Sequence, residues 1–167
     1  VFENCRVPAE NLLGEENRGF YAVMQNFQNV RLALGAMATS EATKALELTL
    51  DHVHERRAYG APLAEKQVIR QRLAMLQCKV AAARQLLYYA AWLDAQGYDC
   101  VADISMVKAL CPEVANEVMY TCQQFHGGYG YVEEFHVARA FRDLRLLTIG
   151  GGTSEVMKEI IGKLRGF

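Results

Sequence analysis

The chain has 167 residues, of which 51% are apolar, enough for one domain with a hydrophobic core. Its formal net charge is −1 with acidic and basic residues interspersed, which gives no electrostatic basis for nucleic-acid binding. No apolar run approaches the roughly 18 residues that a membrane-spanning helix needs, so we expect no membrane span.

The first residues differ in character from the rest of the chain. Residues 1–7 alternate loosely between apolar and polar side chains, which indicates a short edge or final strand, and Pro8 breaks the pattern. The sequence does not begin with Met. We therefore expect the remnant of a β-domain here and take the chain to be a piece of a longer protein.

Three long helical patterns follow. Apolar residues at spacings of three and four predict a first helix from about Phe20 that ends before Gly60. The second is predicted to start at Pro62, since proline suits the first helical position, and to end at Gly97. The third covers residues 101–125.

The remaining pattern completes a helical domain. Pro112 lies inside the third helix and predicts a kink near residues 109–111. Shorter helices are predicted over residues 133–147 and 154–164. Long amphipathic helices joined by short turns predict an all-α fold, an antiparallel four-helix bundle with extra short C-terminal helices. We expect some apolar faces to meet other domains or subunits.

Two glycine loops and one arginine turn are the candidate binding features. Gly127 and Gly128 can end the third helix and allow another molecule to approach the backbone closely. Gly150–Gly152 precede the last helix, whose free N–H groups suit an anion. The Arg-Arg-x-Tyr-Gly turn over residues 56–60 can also bind an anion. These features favour an anionic ligand without identifying a reaction.

Other motifs have simpler explanations. Glu133 and His136 form one Glu-x-x-His motif, but a di-metal site needs a second copy and two more inward-facing glutamates. The nearest approach to a second copy is Asp51-x-x-His54, which has aspartate in place of glutamate. No metal site is therefore predicted. The charged run over residues 52–57 is most simply a solvated helix end. No serine has the Gly-x-Ser-x-Gly setting of a serine hydrolase.

The cysteines favour a reducing compartment. Their number is odd, their spacing is wide, and no Cys-x-x-Cys pair occurs, which argues against a disulfide scaffold or a zinc site. We expect them to be small buried apolar residues. They are Cys5, Cys78, Cys100, Cys111 and Cys122.

Several motifs, in order and spacing, resemble the C-terminal part of the acyl-CoA dehydrogenase family. The resemblance covers essentially the whole chain. Its parts are Val1-Phe2 with Arg6-Val7-Pro8 and Asn11-Leu12-Leu13-Gly14, Arg56-Arg57-Ala58-Tyr59-Gly60 with Gln67, Gln124 to Gly130, Arg142-Asp143, and Gly152-Thr153-Ser154-Glu155.

The resemblance implies a flavoenzyme that binds FAD and an acyl-CoA thioester. Residues 1–14 would then be the end of a middle β-domain and its linker, and residues 15–167 the helical domain. FAD would lie between these domains, in a homotetramer or heterotetramer whose neighbouring subunit completes the site. An electron-transfer flavoprotein is the family's usual electron acceptor. The compartment would be the cytoplasm, or the mitochondrial matrix in a eukaryote.

Site residues follow from the same resemblance by position. Arg56 would meet the FAD pyrophosphate of the neighbouring subunit, with Tyr59 and Gln67 beside it, although these two could also be packing residues. The residues that would approach the adenosine half are Gln124, Gly127 and Gly128. Those that would contact FAD of their own subunit are Thr153 and Glu155. The residue near the acyl-CoA is Arg31.

The family's reaction is α,β-dehydrogenation, in which a carboxylate removes the α-proton of the thioester and the β-hydride goes to the flavin. In the family, the base lies either just before the arginine on the first long helix or just before Gly-Thr-Ser. This sequence has Val30 at the first position and Gly151 at the second, and neither can accept a proton. Asn26 and Asn29 are not bases, and Glu41 is 11 residues along the helix from Val30, roughly 16 Å away.

Three explanations remain open. The chain belongs to a non-catalytic or differently working relative, residue 30 is a variant of an ordinary dehydrogenase, or a carboxylate outside the aligned positions is the base. Two other classes of function compete with an enzyme. One is a flavin-binding or structural subunit of a heteromer, and the other is an independent helical interaction module. The strand over residues 1–7 argues against the module, because a strand without a sheet leaves an exposed edge.

Overall fold

The computed structural model describes all 167 residues and contains five α-helices. Their bounds are α1 Gly19–Glu55, α2 Gln67–Ala95, α3 Val101–His126, α4 His136–Arg145 and α5 Ser154–Arg165. Two short strands, β1 (Arg57–Ala58) and β2 (Ala61–Pro62), pair antiparallel between α1 and α2. None of the helices combines the length and apolar content that a bilayer crossing requires.

Helix α3 is the centre of the bundle. It contacts each of the other four helices, and its side chains Val107, Ala115 and Val118 are fully buried. One cluster of 25 buried apolar residues includes side chains from all four of the helices α1, α2, α3 and α4. Since burial of a large apolar side chain contributes about 1.5–3 kcal/mol, this cluster is the main source of stability. The predicted all-α bundle is confirmed.

A glycine sets the distance between α1 and α3. A Cβ atom at Gly35 would overlap with Cγ1 of the buried Val107. The missing side chain therefore lets the two helices lie close together, and it holds the middle of α1 against α3. This contact lies one turn from Arg31, a candidate site residue on α1.

Helix boundaries agree with the predictions for α1, α3 and α5 and differ elsewhere. Helix α2 begins at Gln67, not at Pro62, because Pro62 pairs in the hairpin and Leu63–Glu65 form a 3-10 turn first. Helix α4 covers only His136–Arg145 of the predicted residues 133–147. Helix α3 continues through Pro112, and the kink expected there stays a prediction.

No strand forms over residues 1–7, contrary to the expectation. A strand needs a hydrogen-bonded neighbour, and the only paired residues of this chain are those of the hairpin after α1. Residues 1–18 are exposed throughout, with one 3-10 turn at Ala9–Asn11. Their assignment to the end of a β-domain stays a prediction.

Some apolar residues of the helical pattern are exposed. The apolar side chains Phe20, Val23 and Met37 of α1 are at least half exposed, and so is Val68 of α2. The periodic pattern therefore continues onto faces that this chain does not cover. Such faces are expected where other domains or subunits pack.

The five cysteines form no disulfide. Cys100, Cys111 and Cys122 are buried, as expected, but Cys5 and Cys78 are exposed. Cys5 precedes the bundle and Cys78 faces outward from α2, so neither reaches the core. Burial raises the pKa of the Cys111 thiol to about 12 and that of Cys122 to about 11, so both stay protonated at neutral pH.

Candidate functional site

The first glycine loop is packed tightly onto the end of α3. Gly127 has φ +58° and stops the helix, and residues 127–130 continue as a 3-10 turn. A Cβ atom at Gly130 would overlap with the carbonyl oxygen of Gln123. The Gln123 side-chain amide donates to the Gly130 carbonyl at 3.0 Å. These contacts hold the backbone of Gly127 and Gly128 in a fixed, exposed position.

A groove lies between the end of α1 and this loop, and we call it the α1–α3 groove. Its volume is about 520 Å³. It brings Arg56 together with Gly127 and Gly128, although the arginine and the first glycine are 71 positions apart in the sequence. The groove is lined by His52, Arg56, Leu63, Phe125, His126, Gly127, Gly128, Tyr129 and Val132.

The two arginines of the turn have different environments. The Arg57 guanidinium donates to the Gly60 carbonyl at 3.0 Å and so closes the hairpin. Arg56 is exposed at the groove and makes no side-chain hydrogen bond or ion pair within the chain. A guanidinium with all its donors free is suited to an anionic ligand. Arg56 is therefore the available anion-binding residue of the pair.

The environment of His52 differs from the prediction that residues 52–57 are simply a solvated helix end. Its ring is half-buried and stacks on that of His126, with centroids 4.4 Å apart and planes 18° from parallel. Tyr129 meets His52 edge-on at 6.2 Å. The last turn of α1 therefore packs against the glycine loop through an aromatic contact.

Of the six cofactor residues predicted around the arginine turn and the first glycine loop, three lie outside the α1–α3 groove. Tyr59 is 98% exposed at the hairpin turn with φ +53°, and Gln67 is exposed at the first residue of α2. Gln124 lines a separate cavity of about 280 Å³ that also contacts Gly127. Roles for these residues stay predictions, because the chain alone does not bring them to Arg56.

The second glycine loop leads into α5 through an N-cap. The Thr153 hydroxyl accepts a hydrogen bond from the Val156 N–H at 3.4 Å. Hydrogen bonds from its own backbone N–H and from Thr153 lower the pKa of the Glu155 carboxyl. Both residues line a cavity of about 400 Å³ at the start of α5. The buried Ser154 hydroxyl lines the same cavity and has no hydrogen-bond partner.

Two buried cationic side chains bind the backbone of the second glycine loop. Arg31 is 5% exposed and its Nε donates to the Gly151 carbonyl at 3.2 Å. Lys108 is 0% exposed and its ammonium donates to the Gly152 carbonyl at 2.9 Å. Neither forms an ion pair with a carboxylate. Burial lowers the pKa of both groups, and the nearby Arg31 charge lowers that of Lys108 further.

The two positions at which the resemblance would place a base converge in space. A Cβ atom at Gly151 would lie 3.8 Å from Cγ1 of Val30 and 3.8 Å from Cε of Lys108. A carboxylate at either position would therefore occupy nearly the same place, beside the two cations. In this chain the side chains of Val30 and Leu34 lie there, and neither base position carries a carboxylate.

The buried ammonium of Lys108 should make stability depend on pH in the alkaline range. The folded-state pKa is lowered, whereas the unfolded value is about 10.4. Unfolded chains therefore bind more protons between these values, and stability rises with pH there, by up to about 1.4 kcal/mol per pH unit. In the full-length protein, we expect the thermal midpoint of the wild type to rise relative to that of Lys108→Met as pH increases from about 8 to about 10.

A matched variant separates this effect from general loss of charge. Lys44→Met removes an ammonium whose side chain is 56% exposed on α1, and its midpoint should follow the wild type across the same pH range. Parallel curves for the wild type and Lys108→Met would show that the Lys108 ammonium is not buried in the folded protein.

The two residues of the Glu-x-x-His motif have separate partners in the structure. His136 contacts Glu41 of α1, with Nε2 and Oε2 2.9 Å apart. Glu133 accepts from Arg142 at 2.8 Å. Glu41, considered above as a distant carboxylate, is therefore engaged with α4.

Sequence reasoning missed Lys108, His52 and His126. Lys108 lies within an apolar helical pattern, which was the available signal that it is buried. The histidines lie in different motifs 74 residues apart, and nothing local indicates that they meet. Their proximity depends on the packing of α1 against α3.

Comparison with known proteins identifies this class of domain. A family model described as "Acyl-CoA dehydrogenase, C-terminal domain" matches residues 17–164, which include the helical bundle and both glycine loops, and it defines the chain as a helical domain of a flavin-dependent oxidoreductase. The chain belongs to the acyl-CoA dehydrogenase family. Its members are FAD-binding flavoproteins, and similar solved structures include FAD complexes.

Individual relatives cover the chain almost completely. It is 39% identical to "Acryloyl-CoA reductase (NADH)" of Anaerotignum propionicum over 98% of the chain and 41% of the relative. It is 39% identical to the mitochondrial long-chain specific acyl-CoA dehydrogenase of Sus scrofa over 97% of the chain and 38% of the relative. The acyl-CoA dehydrogenase structure from Geobacillus kaustophilus superimposes with a TM-score of 0.96 at 37% identity, over 99% of the chain and 44% of that structure. The chain thus spans about two-fifths of these proteins.

Proposed function

We propose that this chain is the C-terminal domain of an enzyme that dehydrogenates an acyl-CoA thioester at the α,β position with FAD. The observation that carries the proposal is the α1–α3 groove, in which the unpaired Arg56 faces the exposed backbone of Gly127 and Gly128. An arginine beside glycine backbone suits a diphosphate. The groove volume of about 520 Å³ is sufficient for part of a dinucleotide.

The residues present fit FAD at both glycine loops. Arg56 would bind the diphosphate of the neighbouring subunit's FAD in the α1–α3 groove. Thr153 and Glu155 would bind FAD of their own subunit at the start of α5, where the Ser154 hydroxyl is buried without a partner. FAD supplies the hydride acceptor when bound. The protein's part is to orient the thioester and to hold a group that accepts the α-proton.

The second candidate is a flavin-binding subunit that performs no chemistry. It is favoured by the place where Val30 and Gly151 converge, since no carboxylate lies there. Arg31 and Lys108 would then serve to hold the loop and not to assist proton transfer. Both candidates use FAD, and they differ in whether the thioester reduces it.

Anaerobic titration of the full-length protein with acyl-CoA thioesters of different chain length tests the proposal. Loss of the oxidised-flavin absorbance supports dehydrogenation. A flavin that stays oxidised with every thioester supports the non-catalytic subunit. Because one relative is named a reductase, the reduced protein is also mixed with 2-enoyl-CoA thioesters, and reoxidation would show that the reaction runs in the other direction. A full-length protein without affinity for FAD would contradict both candidates.

The proposed partners follow from the same family. The exposed apolar side chains of α1 and α2 support assembly into a homotetramer or heterotetramer, in which a neighbouring subunit shares each FAD. A relative from Acetobacterium woodii, 36% identical, is named a subunit of a caffeyl-CoA reductase–Etf complex. That name supports an electron-transfer flavoprotein as the redox partner. The proposed compartment stays the cytoplasm, or the mitochondrial matrix in a eukaryote.

A further inference from the structure

The stacked histidines form one wall of the α1–α3 groove. His52 comes from the last turn of α1 and His126 from the last residue of α3, and both line the groove together with Arg56. Their ring centroids are 4.4 Å apart. His126 is 8% exposed, whereas His52 is half-buried and open to the groove. A ligand that reaches Arg56 therefore also meets His52, one helical turn earlier.

The hydrogen bond of His126 fixes how protons are arranged in the pair. Its Nδ1 lies 2.9 Å from the Cys122 carbonyl oxygen. A carbonyl only accepts, so Nδ1 carries the proton. A neutral His126 then presents an unprotonated Nε2. Because His126 is buried and His52 is open to the groove, His52 is the member of the pair that a ligand in the groove would contact.

Without a ligand, the surroundings of His52 favour its neutral form. Burial lowers the pKa of the His52 imidazole most, and the charges of a protonated His126 and of the Arg56 guanidinium lower it further, whereas Glu55 and a hydrogen bond to the Phe125 backbone raise it. Tyr129, which meets the ring edge-on, contributes a phenol. A diphosphate bound at Arg56 would neutralise that guanidinium and add negative charge beside the ring. It would therefore reverse the sign of the local potential at His52.

We propose that His52 is a proton-linked ligand residue of the α1–α3 groove, so that binding of the FAD diphosphate is accompanied by uptake of one proton by His52. This inference rests on the proposed function for the identity of the ligand. The diphosphate of FAD is a diester that is fully ionised and does not titrate near neutral pH. Any proton taken up when the diphosphate binds is therefore bound by the protein and not by the diphosphate.

Calorimetry of FAD binding to the full-length apoprotein tests the linkage. Binding is measured at pH 7.5 in buffers of different ionisation enthalpy, and the dependence of the observed enthalpy on that quantity gives the number of protons taken up. We expect uptake approaching one proton per FAD for the wild type. The affinity should fall as pH rises from about 6.5 to about 8.5, by up to about tenfold per pH unit, since His52 then carries a proton only in the bound state.

Two variants assign the proton. His52→Phe keeps an aromatic ring on His126 and removes the titrating group, so we expect binding with almost no proton uptake and little pH dependence. His54→Phe is the matched control, since His54 is exposed two residues further along α1 and does not line the groove. It should retain the wild-type uptake.

The outcomes separate this inference from the proposed function. Tight FAD binding by the wild type with no proton uptake would overturn the role of His52 and leave the proposed function standing. Equal uptake by the wild type and His52→Phe would overturn it as well, because another group would then take the proton. Failure of the wild-type apoprotein to bind FAD would overturn both.

Discussion

Val30→Glu in the full-length protein is expected to accelerate reduction of the flavin by a preferred acyl-CoA thioester by about 10²- to 10⁴-fold, the range that a positioned general base contributes. The new carboxylate would lie where the two family base positions converge, beside Gly151. Arg31 and Lys108 would supply positive charge around it, which favours its ionised form. Stopped-flow measurement of the oxidised-flavin absorbance under anaerobic conditions gives the rate.

Two variants define what the glutamate adds. Val30→Gln introduces a side chain of nearly the same shape as glutamate that cannot act as a base, and it should show no acceleration. Gly151→Glu should perform worse than Val30→Glu, because Gly151 has φ +70° and its Cβ would lie 2.8 Å from the Leu34 side chain. If Val30→Glu binds FAD normally and reacts no faster than the wild type, a carboxylate elsewhere is the base or the thioester does not reach this place.

Arg56→Met should weaken FAD binding by the full-length apoprotein by about 10- to 100-fold. The expected loss corresponds to charge-assisted hydrogen bonds, which contribute about 1.5–3 kcal/mol each. The Arg56 side chain forms no hydrogen bond or ion pair within the chain, and its backbone bonds to His52 and Leu63 do not depend on the side chain, so the substitution should leave the fold intact. The dissociation constant is measured from quenching of FAD fluorescence, with the thermal midpoint of the apoprotein as a check on folding.

The neighbouring arginine is the matched control. Arg57→Met removes the same charge one residue away, but Arg57 donates to the Gly60 carbonyl and closes the hairpin. It should retain close to the wild-type affinity at high ionic strength, where long-range attraction is screened. Equal losses for both variants would indicate that the overall charge of the turn matters and that Arg56 has no specific bond to the ligand.

The helices could be predicted because their determinants are local. A repeating apolar pattern marks α1 and α3, and Thr153 with the preceding glycines marks the start of α5. The start of α2 could not be placed, because Pro62 suits both a helix start and the strand that it forms with Arg57. Pairing of the two short strands depends on the turn between them and not on the periodicity of either flank.

The site could be predicted only as far as its motifs are linear. Arg56 and the glycines of both loops stand out from the residues beside them. Lys108 does not, since lysine is rarely buried and its burial here requires α1 and the Gly150–Gly152 loop to close over it. His52 appeared to be one of several charged residues at a helix end until α3 brought His126 onto it.

Because Val30 and Gly151 lie close together, the same chemical role could be filled from either of two places in the sequence. The two residues are 121 positions apart along the chain but are neighbours in space. A proton acceptor could therefore be exchanged between two distant segments during evolution while its position relative to a substrate hardly changed. If only one of the two segments were compared with related sequences, its missing carboxylate would be taken for a loss of catalysis. The carboxylate could instead have moved to the other segment. For domains of this kind, loss of catalysis can be inferred only when both segments are considered together.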